Sequence, residues 1–116
     1  MSRHSPEVRL RHMLDHAREA VELAKGKTRA DLVDMRLLQL GLVRLVEIVG
    51  EAAASIPRDQ RAEYPVIPWQ DVVGMRNKLI HEYDRVDLDI LWDTVTVELP
   101  DLIETLQTIL PPQAPE

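Results

Sequence analysis

Between Leu37 and Val49 the chain is aliphatic almost throughout, broken only by Gln39, Gly41, Arg44 and Glu47. Wound as a helix, Arg36, Gln39, Arg44, Glu47 and Glu51 fall within one stripe, and the rest of the circumference is apolar. Such a helix has more than one face to bury. In a chain of 116 residues the second face meets either other parts of the same monomer or a second copy, and both remain open at this point. The segment is too short and too charged to span a bilayer.

The same three-and-four spacing organises the remaining chain. From Pro6 to about Lys25 the apolar positions Val8, Leu10, Met13, Leu14, Ala17, Ala20, Val21 and Ala24 form one stripe. Ser5 can cap this helix, Pro6 suits its first position, and Gly26 ends it. The second helix, which holds the aliphatic run, is expected from about Ala30 to Ser55. Pro57, Pro65 and Pro68 punctuate an irregular stretch, with a short helical turn at Arg58 to Glu63. Pro68 opens a third helix, expected to continue through Val72, Val73, Met75, Leu79 and Ile80 to about Tyr83. Asp87 caps a fourth, whose stripe runs from Leu88 through Trp92, Val95, Leu99, Leu102 and Leu106 to Leu110, with a kink at Pro100.

The predicted fold is therefore all-α, an antiparallel bundle of four main helices. It makes one domain over residues 1–116, with a core from about 6 to 110 and a flexible tail from 111. Two Trp, two Tyr and no Phe agree with a core of Leu, Val, Ile, Met and Ala, which suits packed helices. There is no cysteine, which excludes disulfides and thiolate metal sites. The charged N-terminal segment lacks the apolar stretch of a signal peptide, so a cytoplasmic protein is expected, with no membrane contact. The net charge of −6 argues against a domain that grips nucleic acid by broad phosphate neutralisation, and no DNA partner is expected. It leaves room for an enzyme that engages RNA at a small cationic site.

Arg76, Asn77, Lys78, His81 and Tyr83 fall within eight residues, the densest polar functional cluster in the chain. A guanidinium can hold a phosphate by two parallel hydrogen bonds, and an imidazole can take or give a proton near neutral pH. Together they suit RNA cleavage without a metal, the 2′-hydroxyl attacking the adjacent phosphate. On one regular helix, however, five residues turn about 500°, which leaves Arg76 and His81 about 140° apart in projection. A second copy facing the first across a two-fold axis solves that problem by a composite site. On residue types alone the competing reading is a solvated helix end with His81 and Tyr83 packed against it.

The run Arg76-Asn77-Lys78-Leu79-Ile80-His81-Glu82-Tyr83 resembles the R-x4-H-x-Y motif of HepT-like toxins, a branch of the HEPN superfamily. Tyr64 to Trp69, Ile48 to Ala53, and Val86-Asp87 through Leu91-Trp92 resemble that family in order and spacing, so the likeness covers about Pro6 to Leu110. The resemblance implies an α-helical homodimer acting as a metal-independent endoribonuclease, with no cofactor. It places the catalytic pair on Arg76 and His81, and an orienting polar residue on Asn77. It also implies the toxin half of a type II toxin–antitoxin pair. The partner is a minimal nucleotidyltransferase antitoxin that transfers AMP to the motif tyrosine, here Tyr83. A non-catalytic dimeric interaction module, serving only as an AMP acceptor, is the alternative. Glu82 adds a negative charge close to the expected phosphate position.

Lys78 and Arg85 can contact RNA phosphates or simply keep the helix end soluble. Glu51 is a candidate to support the site by a salt bridge. Trp69 and Trp92 are expected as core anchors at helix starts. His12 and His16 have the four-residue spacing of two metal ligands, with His4, Asp15 and Glu19 nearby, but no third ligand is evident and no metal is expected.

Overall fold

In a computed structural model, residues 5–82 and 85–112 are described, 81 and 82 by their backbone alone. The elements run α1 (Pro6–Ala24), α2 (Arg29–Asp34), α3 (Arg36–Ala54), α4 (Arg58–Arg61), α5 (Trp69–Val73) and α6 (Met75–Leu79). They continue with the strands β1 (Ile80–Glu82) and β2 (Arg85–Val86), then α7 (Leu88–Asp93), a π-helical stretch (Thr94–Glu98) and α8 (Leu99–Ile109). The bundle is all-α apart from one short hairpin, as the apolar periodicity predicts.

The packing is antiparallel. Arg9, near the start of α1, donates to the Ser55 carbonyl beyond the end of α3, and Arg11 Nη2 donates to the Pro111 carbonyl beyond α8 at 2.6 Å. α1 is thereby the middle layer. Leu10, Met13, Leu14, Ala17 and Ala20 bury its stripe against Leu42, Val46, Val49 and Ala53 of α3 and Leu99, Leu102 and Leu106 of α8. The alanines at 17 and 20 let helix axes approach closely, and the leucines fill the space beside them. On its other flank α3 carries α5 and α6.

Three helix boundaries differ from expectation, each for an identifiable reason. The expected second helix is divided at Met35, whose backbone is extended (φ −108°, ψ 93°). No glycine or proline marks the break. Thr28 and Asp31 close a capping box that starts α2 early, and Gln39 Nε2 donates to the Leu32 and Val33 carbonyls at 2.8 and 3.1 Å. Those bonds satisfy acceptors that a helix end leaves without partners. The third helix pauses at Gly74 and stops at Leu79, four residues short of Tyr83. Pairing of Ile80 with Val86 and Glu82 with Arg85, and donation from Asp87 N–H to the Leu79 carbonyl at 2.8 Å, replace the helical bonds that are given up.

The fourth helix passes Pro100 without ending. The expected kink takes the form of a widened turn, in which Leu99 N–H reaches the Thr94 carbonyl five residues back. Adding a residue to the turn before the proline is a standard way to accommodate its missing donor. Asp87 caps α7 as expected, its Oδ1 accepting from Ile90 N–H at 3.0 Å. Ser5 occupies the cap position of α1, but its side chain makes no capping bond. Gly26, with φ +77°, ends that helix in the left-handed region.

The irregular stretch after α3 is held by Arg61. Its Nε donates to the Ile56 carbonyl at 2.8 Å and Nη2 to the Ala54 carbonyl at 3.2 Å, and its guanidinium lies 5.8 Å from the centre of the Trp69 ring. Trp69 donates from Nε1 to the Tyr64 carbonyl at 3.0 Å and packs on the core, as does Trp92. Trp69 is thus the expected anchor, and it fixes where α5 begins.

Candidate active site

Two features bring α6 to α3. Gly50 lies where a Cβ would stand 3.3 Å from the Val72 carbonyl, so α5 packs directly on α3 backbone. Just beyond, Arg76 reaches across to α3, and its Nε donates to Glu47 Oε2 at 2.7 Å. The Arg76 side chain is 50% exposed and that of Glu47 20%. The carboxylate is therefore the more deeply packed partner of the pair.

The expected supporting carboxylate was Glu51. It instead pairs with Arg44 on its own helix at 3.3 Å. Glu47 and Glu51 share the polar stripe one turn apart, and only the height at which α6 crosses α3 decides between them. That height is set by long-range packing at Gly50, which leaves no local pattern in the sequence.

Arg76 opens on a groove of about 230 Å3 between α3 and the hairpin, lined also by Glu47, Arg36, Gln39, Leu40, Val43, Ile80 and Val86. The groove joins two arginines and the Glu47 carboxylate to apolar walls, a combination suited to a nucleotide: phosphate on arginine, base or sugar against aliphatic side chains. Asn77 and Lys78 are exposed on the same short helix. Lys78 Nζ lies 3.9 Å from Asp71 Oδ1, the outer limit of an ion pair, so its charge is only loosely engaged.

His81 falls in β1. The chain leaves the helix between Arg76 and His81, because Ile80 is already extended (φ −108°, ψ 115°). The 140° separation expected on a continuous helix therefore does not apply. The side chains of His81 and Glu82, and Tyr83 as a whole, lie outside the described residues. Arg85 is exposed on β2, opposite Glu82 in the ladder. The hairpin thus places Arg85 on the strand paired with the motif's His81 segment.

His16 Nδ1 donates to the His12 carbonyl at 2.7 Å, so one ring nitrogen of the candidate metal pair is engaged with backbone. Among the described residues, no three His, Cys, Asp or Glu side chains gather as a metal site. None of the described helices is long and apolar enough to cross a membrane. At the joint between α2 and α3, Val33, Met35, Leu37 and Leu40 are exposed, Leu37 by 84%. Of the aliphatic helix, Leu37 and Leu40 at its N-terminal end are therefore uncovered in the monomer.

The family model described as Ribonuclease HepT-like matches residues 13–109. "Putative RNase TTE0752" of Caldanaerobacter subterraneus subsp. tengcongensis is 37% identical over 106 residues, covering 91% of this chain and 95% of the relative. "Probable ribonuclease HepT" of Thermococcus cleftensis is 40% identical over 93 residues, covering 77% and 84%. "Putative RNase MJ1216" of Methanocaldococcus jannaschii is 32% identical over 98 residues, covering 84% and 81%. No solved structure matches the chain. With a family model spanning most of its length and relatives of this identity and coverage, the chain belongs to the HepT-like ribonuclease family.

Proposed function

We propose that this ribonuclease is a metal-independent endoribonuclease toxin whose working site comprises Arg76, Asn77 and His81 from two copies of the chain. The observation that carries the reading is Arg76, half-exposed on the lining of a groove with its Nε held by Glu47. Its Nη groups hold the scissile phosphate and stabilise charge on the phosphorane. One His81 takes the proton from the 2′-hydroxyl as that oxygen bonds to phosphorus. A second His81, from the other copy, gives a proton to the departing 5′-oxygen. The products are a 2′,3′-cyclic phosphate and a 5′-hydroxyl, so no water or metal is consumed in the step.

The exposed face of Val33, Met35, Leu37 and Leu40 supports assembly with a second copy, because it adjoins the groove: Leu40 belongs to both. Lys78 and Arg85 supply further phosphate contacts. Tyr83, two residues beyond His81, is the acceptor of AMP from a nucleotidyltransferase antitoxin in the cytoplasm. A bulky anion attached there blocks RNA from the Arg76 groove.

The test is cleavage of total RNA by purified protein in EDTA, beside Arg76→Ala and His81→Ala. Wild type should leave 2′,3′-cyclic phosphate ends, and loss of His81 should slow cleavage by about 10²–10⁴-fold, the usual contribution of a proton-transfer residue. Equal activity in all three proteins would sink the assignment. Inactive wild type, shown to be folded and free of AMP, would leave the domain as a non-catalytic interaction module.

A further inference from the structure

Glu47 has no part in the motif that resembles the HepT-like family, yet it is the side chain to which the motif arginine donates. We infer that Glu47 is a positioning residue for Arg76, holding the guanidinium so that its two Nη groups face the groove before RNA arrives. The inference rests on the proposed role of Arg76 in phosphate binding.

Four observations carry it. The bond is made to Nε, at 2.7 Å from Glu47 Oε2, which leaves the Nη1/Nη2 edge able to take two phosphate oxygens in parallel. The carboxylate is the more buried partner, at 20% against 50%, so the packed side of the pair is the anchor and the exposed side the working end. Its base is a long helix in the core: Val46 and Val49, on either side of the Glu47 turn, are fully buried. The competing cation on the same stripe, Arg44, is occupied by Glu51, so Glu47 serves Arg76.

An unbraced arginine of this length samples many rotamers, and a reacting phosphate tolerates little misplacement. α6 adds reason for a brace, since it has only five residues and cannot by itself hold a side chain still. The effect of such a brace belongs to the rate of the chemical step more than to RNA affinity, because it sets the direction of the guanidinium and leaves its charge in place.

The experiment measures kcat and KM on a short RNA for Glu47→Gln, Glu47→Asp and Glu47→Ala, each also combined with Arg76→Ala, with far-UV circular dichroism and melting temperature recorded for all. Glu47→Ala should lower kcat by about 10–100-fold with KM changed less than about threefold, in line with the cost of small misplacements at a reacting centre. Glu47→Gln and Glu47→Asp should recover part of the rate, because each keeps an oxygen acceptor. In the Arg76→Ala background none of the three should cause a further loss. Wild-type kcat in Glu47→Ala would overturn the inference, as would a rate increase, which would mean that the carboxylate competes with phosphate. If Glu47→Ala does not fold, Glu47→Gln decides: a kcat below wild type with KM unchanged supports the inference, and a wild-type kcat overturns it. If Arg76→Ala cleaves as well as wild type, the role assigned to Arg76 falls first. If only Glu47→Ala is silent, Arg76 keeps its role and Glu47 loses this one.

Discussion

Gly50 sets how closely α5 can approach α3, and through that contact where Arg76 meets Glu47. A Cβ there would stand 3.3 Å from the Val72 carbonyl and 3.7 Å from that of Val73, and both neighbours are backbone. Helical Gly→Ala usually gains up to about 1 kcal/mol in propensity, which partly offsets such a close contact. A branched side chain has no such compensation. Gly50→Val is expected to cost about 2 kcal/mol, within the usual range for overpacking a well-filled interior, and to lower the melting temperature accordingly. Activity should fall further than stability alone explains, because the shift moves α6 relative to Glu47. Thermal melts and cleavage rates on the same preparation test this; full activity with a lowered melting temperature would show that the contact serves packing alone. At this scale the R-x4-H-x-Y spacing singles out Arg76 in the sequence, and the structure exposes that residue on a groove. It is not legible for Glu47, since Glu47 and Glu51 share one stripe and only the crossing height of another element separates them.

Whole elements follow their local signals where those signals are hydrogen-bonded and depart from them where they are not. Asp87 and Ser5 both precede helices and both read as caps. Asp87 accepts from Ile90 N–H at 3.0 Å, while the Ser5 side chain makes no such bond. Asp87→Ala is therefore expected to destabilise by about 1 kcal/mol and Ser5→Ala by only a few tenths, the cost of a cap depending on the bond made. Urea titration of the two variants separates them, and equal losses would show that the capping bond at Asp87 carries no special weight. The same contrast explains the misplaced helix ends. Periodicity of three and four correctly locates the long stripes of α1, α3 and α8, because it reports burial. It is blind to the break at Met35, where the chain is interrupted without a glycine or proline, and to the end at Leu79. Both are decided by partners distant along the chain: Gln39 for the carbonyls of α2, and Val86 and Asp87 for the residues after Leu79.

For the whole molecule the aliphatic run of α3 divides into two populations with different jobs. Leu42, Val46 and Val49 are fully buried, and Leu42→Ala should cost about 2–5 kcal/mol as a cavity in a packed core. Leu37 and Leu40, on the same helix, are 84% and 49% exposed, so the monomer gains little from them. An uncovered aliphatic patch on an otherwise charged surface marks a contact. The proposed occupant is a second copy, because two-fold pairing through a face that includes Leu40 would bring together two of the grooves that Leu40 and Arg76 line. Replacing both with aspartate, Leu37→Asp with Leu40→Asp, places like charges across that axis and removes the apolar contact without opening the core. Sedimentation equilibrium should then show a dimer for wild type and a monomer for the double variant, with unchanged far-UV circular dichroism. On the proposed two-histidine mechanism cleavage should fall with the dimer, because one His81 is left to serve for both proton removal and proton delivery. A folded monomeric variant that cleaves RNA at the wild-type rate would mean that each chain carries a complete site, and that the exposed face has some other occupant.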